Sequence, residues 1–233
     1  MYVFVSNIIN EMNFSDLNTY EYNLLFGIFG RLNKSTEISL RADEVKDMCS
    51  NKSNFTYKEA EETAISLCKK IDRIRSLFDV FQVDYADSEN KEFDGMWIKI
   101  WEKNIHLFRY MDIAFTVFVF EELKEIRTVS SKTIYRLLAQ FKHKGLLNIN
   151  YDELCGVLGC ENREFFEINQ KILQPSIDRL NKYFKNLSIE FNRGKKNGKF
   201  GCISVVFKFD KYKLPIIDDN QEEYDLPYSK YAI

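Results

Sequence analysis

Arg163, Glu167, Gln170, Lys171 and Gln174, with Asn162 just ahead of them, occupy the outward positions near the start of a long helical pattern. Arginine and glutamine are the side chains that pair bidentately with guanine and adenine edges. Further along stand Arg193, Lys195, Lys196 and Lys199, within the segment Asn192-Arg193-Gly194-Lys195-Lys196-Asn197-Gly198-Lys199. Cations at the tip of a ribbon suit backbone phosphates and would steepen the salt dependence of binding. Each side chain alone fits an ordinary solvated surface equally well. The set, hydrogen-bonding groups at the start of one helix and cations on a following hairpin, points to a duplex nucleic acid.

Such groups need elements to position them. Tyr151–Leu158 reads as a short helix capped by Asn150, with Leu154, Val157 and Leu158 inward. Gly159 opens a tight turn, 159–162. A long helix is predicted from near Arg163 to near Phe184, with Phe165, Ile168, Ile172, Ile177, Leu180 and Phe184 on the core side. Pro175 in its middle is expected to kink it. Strands 187–191 and 201–209 make the ribbon. Upstream, Ser130-Ser131 are expected to cap a helix over 132–144 that buries Ile134, Leu137, Leu138 and Phe141. Gly145 is its left-handed stop, and 147–149 is a short strand. Helix, short helix, turn, long helix and basic ribbon describe a winged helix, whose second helix enters a major groove.

The first half repeats this order. Thr19 is the expected cap of a helix with Tyr22, Leu25, Phe26, Phe29 and Leu32 on one face. A short strand over 37–40 follows. The next helix, 42–49, has Val45, Met48 and Cys49 inward, and 50–54 is a polar turn. A long helix from Phe55 or Thr56 to about Leu77 carries the row Ala60, Ala64, Leu67, Cys68, Ile71, Ile74 and Phe78. Alternating strands 80–85 and 96–101 form a hairpin. Its connection is acidic, through Asp84, Asp87, Glu89, Glu92 and Asp94. The first module is therefore expected to touch DNA only at helix ends, through Lys52, Asn54, Tyr57 and Lys58, and to serve protein contacts. Residues 1–18 show no clear period and read as a leader, and 102–110 as a helical connector. The predicted fold is α+β, mainly helical, with two tandem winged-helix domains related by pseudo-symmetry. They span 1–114 and 115–210, followed by an acidic tail over 211–233 that is expected to be flexible.

Charge supports that division. The chain of 233 residues carries a net charge of −2, yet residues 116–209 hold 16 Lys+Arg against 10 Asp+Glu, while residues 1–115 hold 14 against 19. The basic excess sits where the reading groups sit. A hydrophobic share of 45% excludes a disordered chain. Cys49, Cys68, Cys155, Cys160 and Cys202 form no paired framework, and neither His106 nor His143 is spaced to complete a zinc site. Buried thiols in a reducing cytoplasm, with no metal and no cofactor, are the expectation. The chain start lacks the pattern of a signal peptide. The apolar run over 113–120 is far shorter than the roughly 20 residues a membrane span needs. A phosphate-binding P-loop is excluded at Gly194-Lys-Lys-Asn-Gly198-Lys199. Only three residues separate its glycines, and Phe200 stands where a serine or threonine is required.

Four segments carry a family likeness. Phe115-Thr-Val-Phe-Val-Phe-Glu-Glu-Leu, Ser131-Lys-Thr-Ile-Tyr-Arg-Leu-Leu, Asp152-Glu-Leu-Cys-Gly-Val-Leu-Gly and Asn169-Gln-Lys-Ile-Leu-Gln-Pro-Ser-Ile-Asp-Arg-Leu resemble plasmid replication initiator Rep proteins of the Rep_3 or RepB class. Tyr20-Glu-Tyr-Asn-Leu-Leu-Phe-Gly-Ile is similar to the opening of their first winged helix. The likeness runs from Thr19 to Phe209. It implies tandem winged helices that bind directly repeated origin sites, the iterons, and open the origin with host replication proteins such as a helicase or host initiator. It implies a second module that makes the main base contacts, and a first that mediates dimerisation and adds contacts. It also implies monomers that initiate and dimers that repress the gene's own promoter. The stretch from Arg163 to Gln174 and the tip from Arg193 to Lys199 match the parts of the family's second module that meet DNA. The acidic first wing departs from a strong double grip.

Three rival functions remain. A winged-helix transcriptional regulator without an initiation role would differ in its targets, a lone palindrome rather than repeats. A nicking enzyme would need clustered histidines beside a nucleophilic tyrosine, and no His-x-His, HExxH or Ser-His-Asp pattern occurs. The expectation is that the protein is not an enzyme. A pure protein-interaction module would show no salt-sensitive duplex binding.

Overall fold

The computed structural model describes residues 1–86, 92–108, 115–196 and 199–212. The chain opens with β1 (Tyr2–Ser6) and a single turn, α1 (Asn7–Asn10). Next come α2 (Thr19–Leu32), β2 (Glu37–Arg41), α3 (Ala42–Cys49) and α4 (Tyr57–Lys70). A 3-10 stretch, Ile71–Leu77, leads into β3 (Phe78–Tyr85) and β4 (Phe93–Ile100). A second 3-10 stretch, Glu102–Leu107, closes this half.

The second half is β5 (Phe115–Val119), α5 (Phe120–Glu125), α6 (Val129–Gln140), β6 (Leu146–Asn150) and α7 (Tyr151–Leu158). It continues through α8 (Phe165–Ile168), a π-helical turn Asn169–Leu173, and α9 (Gln174–Leu180). β7 (Ser188–Lys196) and β8 (Lys199–Lys208) complete it. Each half holds a three-stranded antiparallel sheet, in the orders β2-β4-β3 and β6-β8-β7. In both, the strand after the first helix pairs with the last strand of the hairpin. This is the winged-helix plan, built twice as predicted.

Several local expectations are corrected. Residues 1–18 are not a bare leader. β1 pairs antiparallel with β5, from Tyr2 opposite Val119 to Ser6 opposite Phe115, and buries Val3 and Val5. Five residues whose partner lies more than a hundred positions away leave almost no local signal. The cap of α2 is Asn18, not Thr19. The Asn18 side chain accepts from the Tyr20 and Glu21 N–H groups, and Glu21 accepts from the Asn18 N–H. Thr19 instead donates its hydroxyl to the Arg127 carbonyl at 3.1 Å. Likewise Thr128, not Ser130-Ser131, caps α6, because Ser131 is turned inward to Ser176 at 2.9 Å. Helix α4 tightens to 3-10 at Ile71 rather than continuing as α-helix to Leu77, and α6 ends at Gln140.

The buried residues form one core, and α2 and α6 meet within it. Arg136 on α6 is fully buried there. Its Nε donates to the Tyr22 hydroxyl at 2.5 Å, and its guanidinium lies 4.6 Å from the Phe26 ring centroid, 5.2 Å from Phe14 and 5.5 Å from Tyr22. Three aromatic faces take the place of a counter-ion. One turn back, Lys132 donates to Asn23 Oδ1 at 2.7 Å and to the Leu123 carbonyl. Burial, helped by the Lys124 charge, pushes the Lys132 ammonium down to about 7. The segment after β1 reaches the second module too, with Asn13 Nδ2 donating to the Gly156 carbonyl at 2.7 Å. The predicted division at 114/115 falls at 109–114, outside the described residues. So do Asp87 and Glu89 of the acidic connection and the tail beyond 212.

Candidate nucleic-acid interface

The reading head is built from a helix stop. Asn150 caps α7 by accepting from the Asp152 N–H at 2.9 Å. The helix ends at Gly159, in the left-handed region at φ 64°, and the Cys160 N–H returns to the Cys155 carbonyl at 2.9 Å. A Cβ at Gly159 would sit 2.0 Å from Ser15 Oγ, so only glycine fits under the segment from the first module. The Arg163 N–H donates to the Cys160 carbonyl at 3.1 Å and closes the turn. The next helix starts at Phe165, so Asn162 and Arg163 lie on the turn ahead of it rather than on its first coil.

From Phe165 to Leu180 the helix changes hydrogen-bonding pattern without stopping. The Gln174 N–H bonds to the Asn169 carbonyl, five residues back, which marks the π-turn. Pro175 follows in the first turn of α9. A widened turn directly precedes Pro175, and regular helix ends at Leu180 rather than near Phe184. Ile168, Ile172, Leu173 and Ile177 face inward. Arg163, Gln170, Lys171 and Gln174 are exposed, and Glu167 is partly so. Steps of three and four place Glu167, Gln170, Lys171 and Gln174 on one face, and Arg163 joins it from the turn through Glu167. The Glu167 carboxylate lies 3.1 Å from the Lys171 ammonium and 3.8 Å from the Arg163 guanidinium. Exposed pairs of this kind are weak, about 0.3–0.5 kcal/mol, so they arrange the two cations without withholding them.

The ribbon is fixed to the start of this helix through rings. Phe165 packs edge-on against Phe191 of β7 at 5.1 Å and against Tyr151 of α7 at 5.6 Å. The Arg193 guanidinium lies 5.2 Å over the Phe165 ring. β7 and β8 pair as far as Lys196 opposite Lys199, so the eight-residue loop expected over 192–199 is mostly strand. Arg193 and the exposed Lys195 therefore ride on a ladder with a bulge between Asn192 and Arg193. Asn197, Gly198 and the side chains of Lys196 and Lys199 lie outside the described residues.

Beside the helix runs a cleft of about 370 Å³ that the sequence reading missed. Arg163, Lys171 and Arg179 line it together with Thr128, Val129 and Ser130 at the start of α6. The first N–H groups of a helix have no intrahelical acceptor, and with the dipole they favour an anion. Arg179 stands eight residues past Lys171, a helical repeat that could have signalled it. Phe166 was missed as well and is 67% exposed on the same face as Arg163 and Gln170.

In the first module, Lys52, Asn54, Tyr57 and Lys58 gather around the turn between α3 and α4, the counterpart of the turn after α7. The Lys52 ammonium donates to the Tyr20 hydroxyl at 3.1 Å. Tyr57 is 53% exposed, with the Lys46 ammonium 4.6 Å over its ring. A cleft of about 440 Å³ adjoins them, lined by Lys46, Lys52 and Lys124 among others. All five cysteines are free thiols, and Cys49, Cys155 and Cys160 are buried. No group of three metal-ligating side chains occurs among the described residues, and none of their helices is long and apolar enough to cross a membrane.

Comparison with known proteins agrees with this geometry. Residues 2–139 match the family model described as "Initiator Replication protein, WH1", and residues 150–209 match "Initiator Rep protein, WH2". No curated protein matches. Among solved structures, the fold is similar to that described as "Crystal structure of Pi initiator protein in complex with iteron DNA". The TM-score is 0.62 at 14% identity, over 89% of this chain and 96% of that one. Two winged helices in series, an exposed polar face on the second reading helix and family matches to both halves lead to one conclusion: the chain belongs to the Rep_3 family of initiator replication proteins.

Proposed function

We propose that this chain initiates plasmid replication by binding iteron repeats at the origin, with the second module as the main reader. The observation that carries this reading is the outward face from Arg163 to Gln174, with Arg193 locked beside it through Phe165. In the complex, α8 and the π-turn lie in the major groove. Arg163, Gln170 and Gln174 meet purine edges, and Glu167 accepts from cytosine. Arg193, Lys195, Lys196 and Lys199 hold phosphates on one flank. The cleft between α6 and Arg179 seats a phosphate on the other. The first module adds contacts through Lys52, Asn54, Tyr57 and Lys58, and carries self-association. Recruitment of a host helicase or initiator, repression of its own promoter, cytoplasmic location and the lack of catalysis belong to the same proposal. The free thiols suit a reducing compartment.

Footprinting on the DNA flanking the gene tests it. Protection should recur at a spacing of about one or two helical turns, since tandem modules track one duplex face. A single protected palindrome would favour a regulator. Nicking of supercoiled plasmid with magnesium or manganese would overturn the non-catalytic part.

A further inference from the structure

Phe166 is the most exposed of the large apolar side chains among the described residues, at 67%. It sits three residues after Arg163, one before Glu167 and four before Gln170, in the middle of the reading face. Its neighbour Phe165 takes the structural role, packed between Tyr151 and Phe191. Successive helical side chains diverge by about 100°. Phe166 is the member of the pair that points outward, into a face that is otherwise charged and polar. No aromatic partner within the described residues covers it.

The major groove offers one apolar group, the C5-methyl of thymine. Resting on the DNA-reading role proposed above, we propose that Phe166 is a specificity residue that packs against a thymine methyl. The surroundings favour DNA over an apolar protein partner. Arg163 and Lys171 both reach Glu167, the residue after Phe166, and Arg193 lies over Phe165, the residue before it, so a docking protein would have to bury those cations along with the ring. A duplex supplies their phosphates and its methyl in one surface.

Uracil differs from thymine only by that methyl. The target duplex is first selected with the full chain from a randomised duplex pool, then resynthesised with each thymine replaced singly by uracil. For the wild-type chain, one replacement should weaken binding about fourfold, the factor that burying one methyl supplies. Phe166→Ala should bind the thymine and uracil forms of that position equally, and Phe166→Leu should retain part of the difference. Phe166 is exposed, so thermal unfolding of the variants should match wild type. Indifference to uracil at every position, or the same penalty in Phe166→Ala, overturns the assignment while leaving DNA reading intact. Failure to enrich any duplex overturns both.

Discussion

Arg163 and Lys195 carry the same charge, yet their losses should be felt differently. Arg163 stands at the head of the reading face with its guanidinium near Glu167. Arg163→Ala should cost about 1–3 kcal/mol on the selected duplex and little on a random one, because a bidentate base contact discriminates while a phosphate contact does not. Lys195 is exposed on the ladder of β7 and β8. Lys195→Ala with Lys196→Ala should weaken all duplexes alike and lower the salt slope by about one for each phosphate released. Titrations at several salt concentrations, on both duplexes, separate the two outcomes. Equal losses on specific and random DNA for Arg163→Ala would remove it from base reading. At this scale the sequence was informative about polar groups and blind to Phe166. A search for hydrogen-bonding side chains passes over an outward ring such as Phe166.

Among elements, the sequence was most legible where local rules decide. α7 falls on its predicted bounds because Asn150 and Gly159 punctuate it at both ends. The order of helices and strands in both halves was also readable, since each has its own period. What was lost had distant causes. β1 depends on β5, and Ser131 is claimed by Ser176. The overlong wing loop was avoidable, since Asn-Gly between alternating residues is the signal of a two-residue hairpin connection. Gly159 ties local and distant causes together. Gly159→Ala should destabilise the chain by at least about 1 kcal/mol, from the left-handed backbone alone, with more from the clash with Ser15. Denaturant unfolding measures it. A loss no greater than that for a neutral surface substitution would mean the segment at Ser15 is not fixed over the turn.

At the level of the whole molecule, α2 and α6 are joined by buried cations as well as by apolar packing. Lys132 is the one with a measurable signature. Its pKa is lowered on folding to about 7, so between pH 7 and its ordinary unfolded value the unfolded chain binds more protons. Stability should therefore rise with pH above 7. Burial raises Cys49, and a group of that kind withdraws stability above its ordinary value near 9. Cys155, lowered to about 7 by its hydrogen bond with Cys160, adds a rise of the same sign, so the Lys132 share is read by difference between pH 7 and 9. Lys132→Met should make the rise in that window shallower, leaving the Cys155 share. Thermal unfolding at four pH values reads it, and an unchanged slope in the variant would place the titration elsewhere.

The most direct test of the central claim is a hydroxyl-radical footprint of the full chain on the DNA flanking its gene, run beside Arg163→Ala. Expected is protection repeating at a fixed helical interval, abolished in register by the substitution while weak, salt-sensitive coverage of the duplex persists. A wild-type pattern without repeats, or one that Arg163→Ala leaves unaltered, would contradict the claim that the helix after Gly159 reads repeated origin sites.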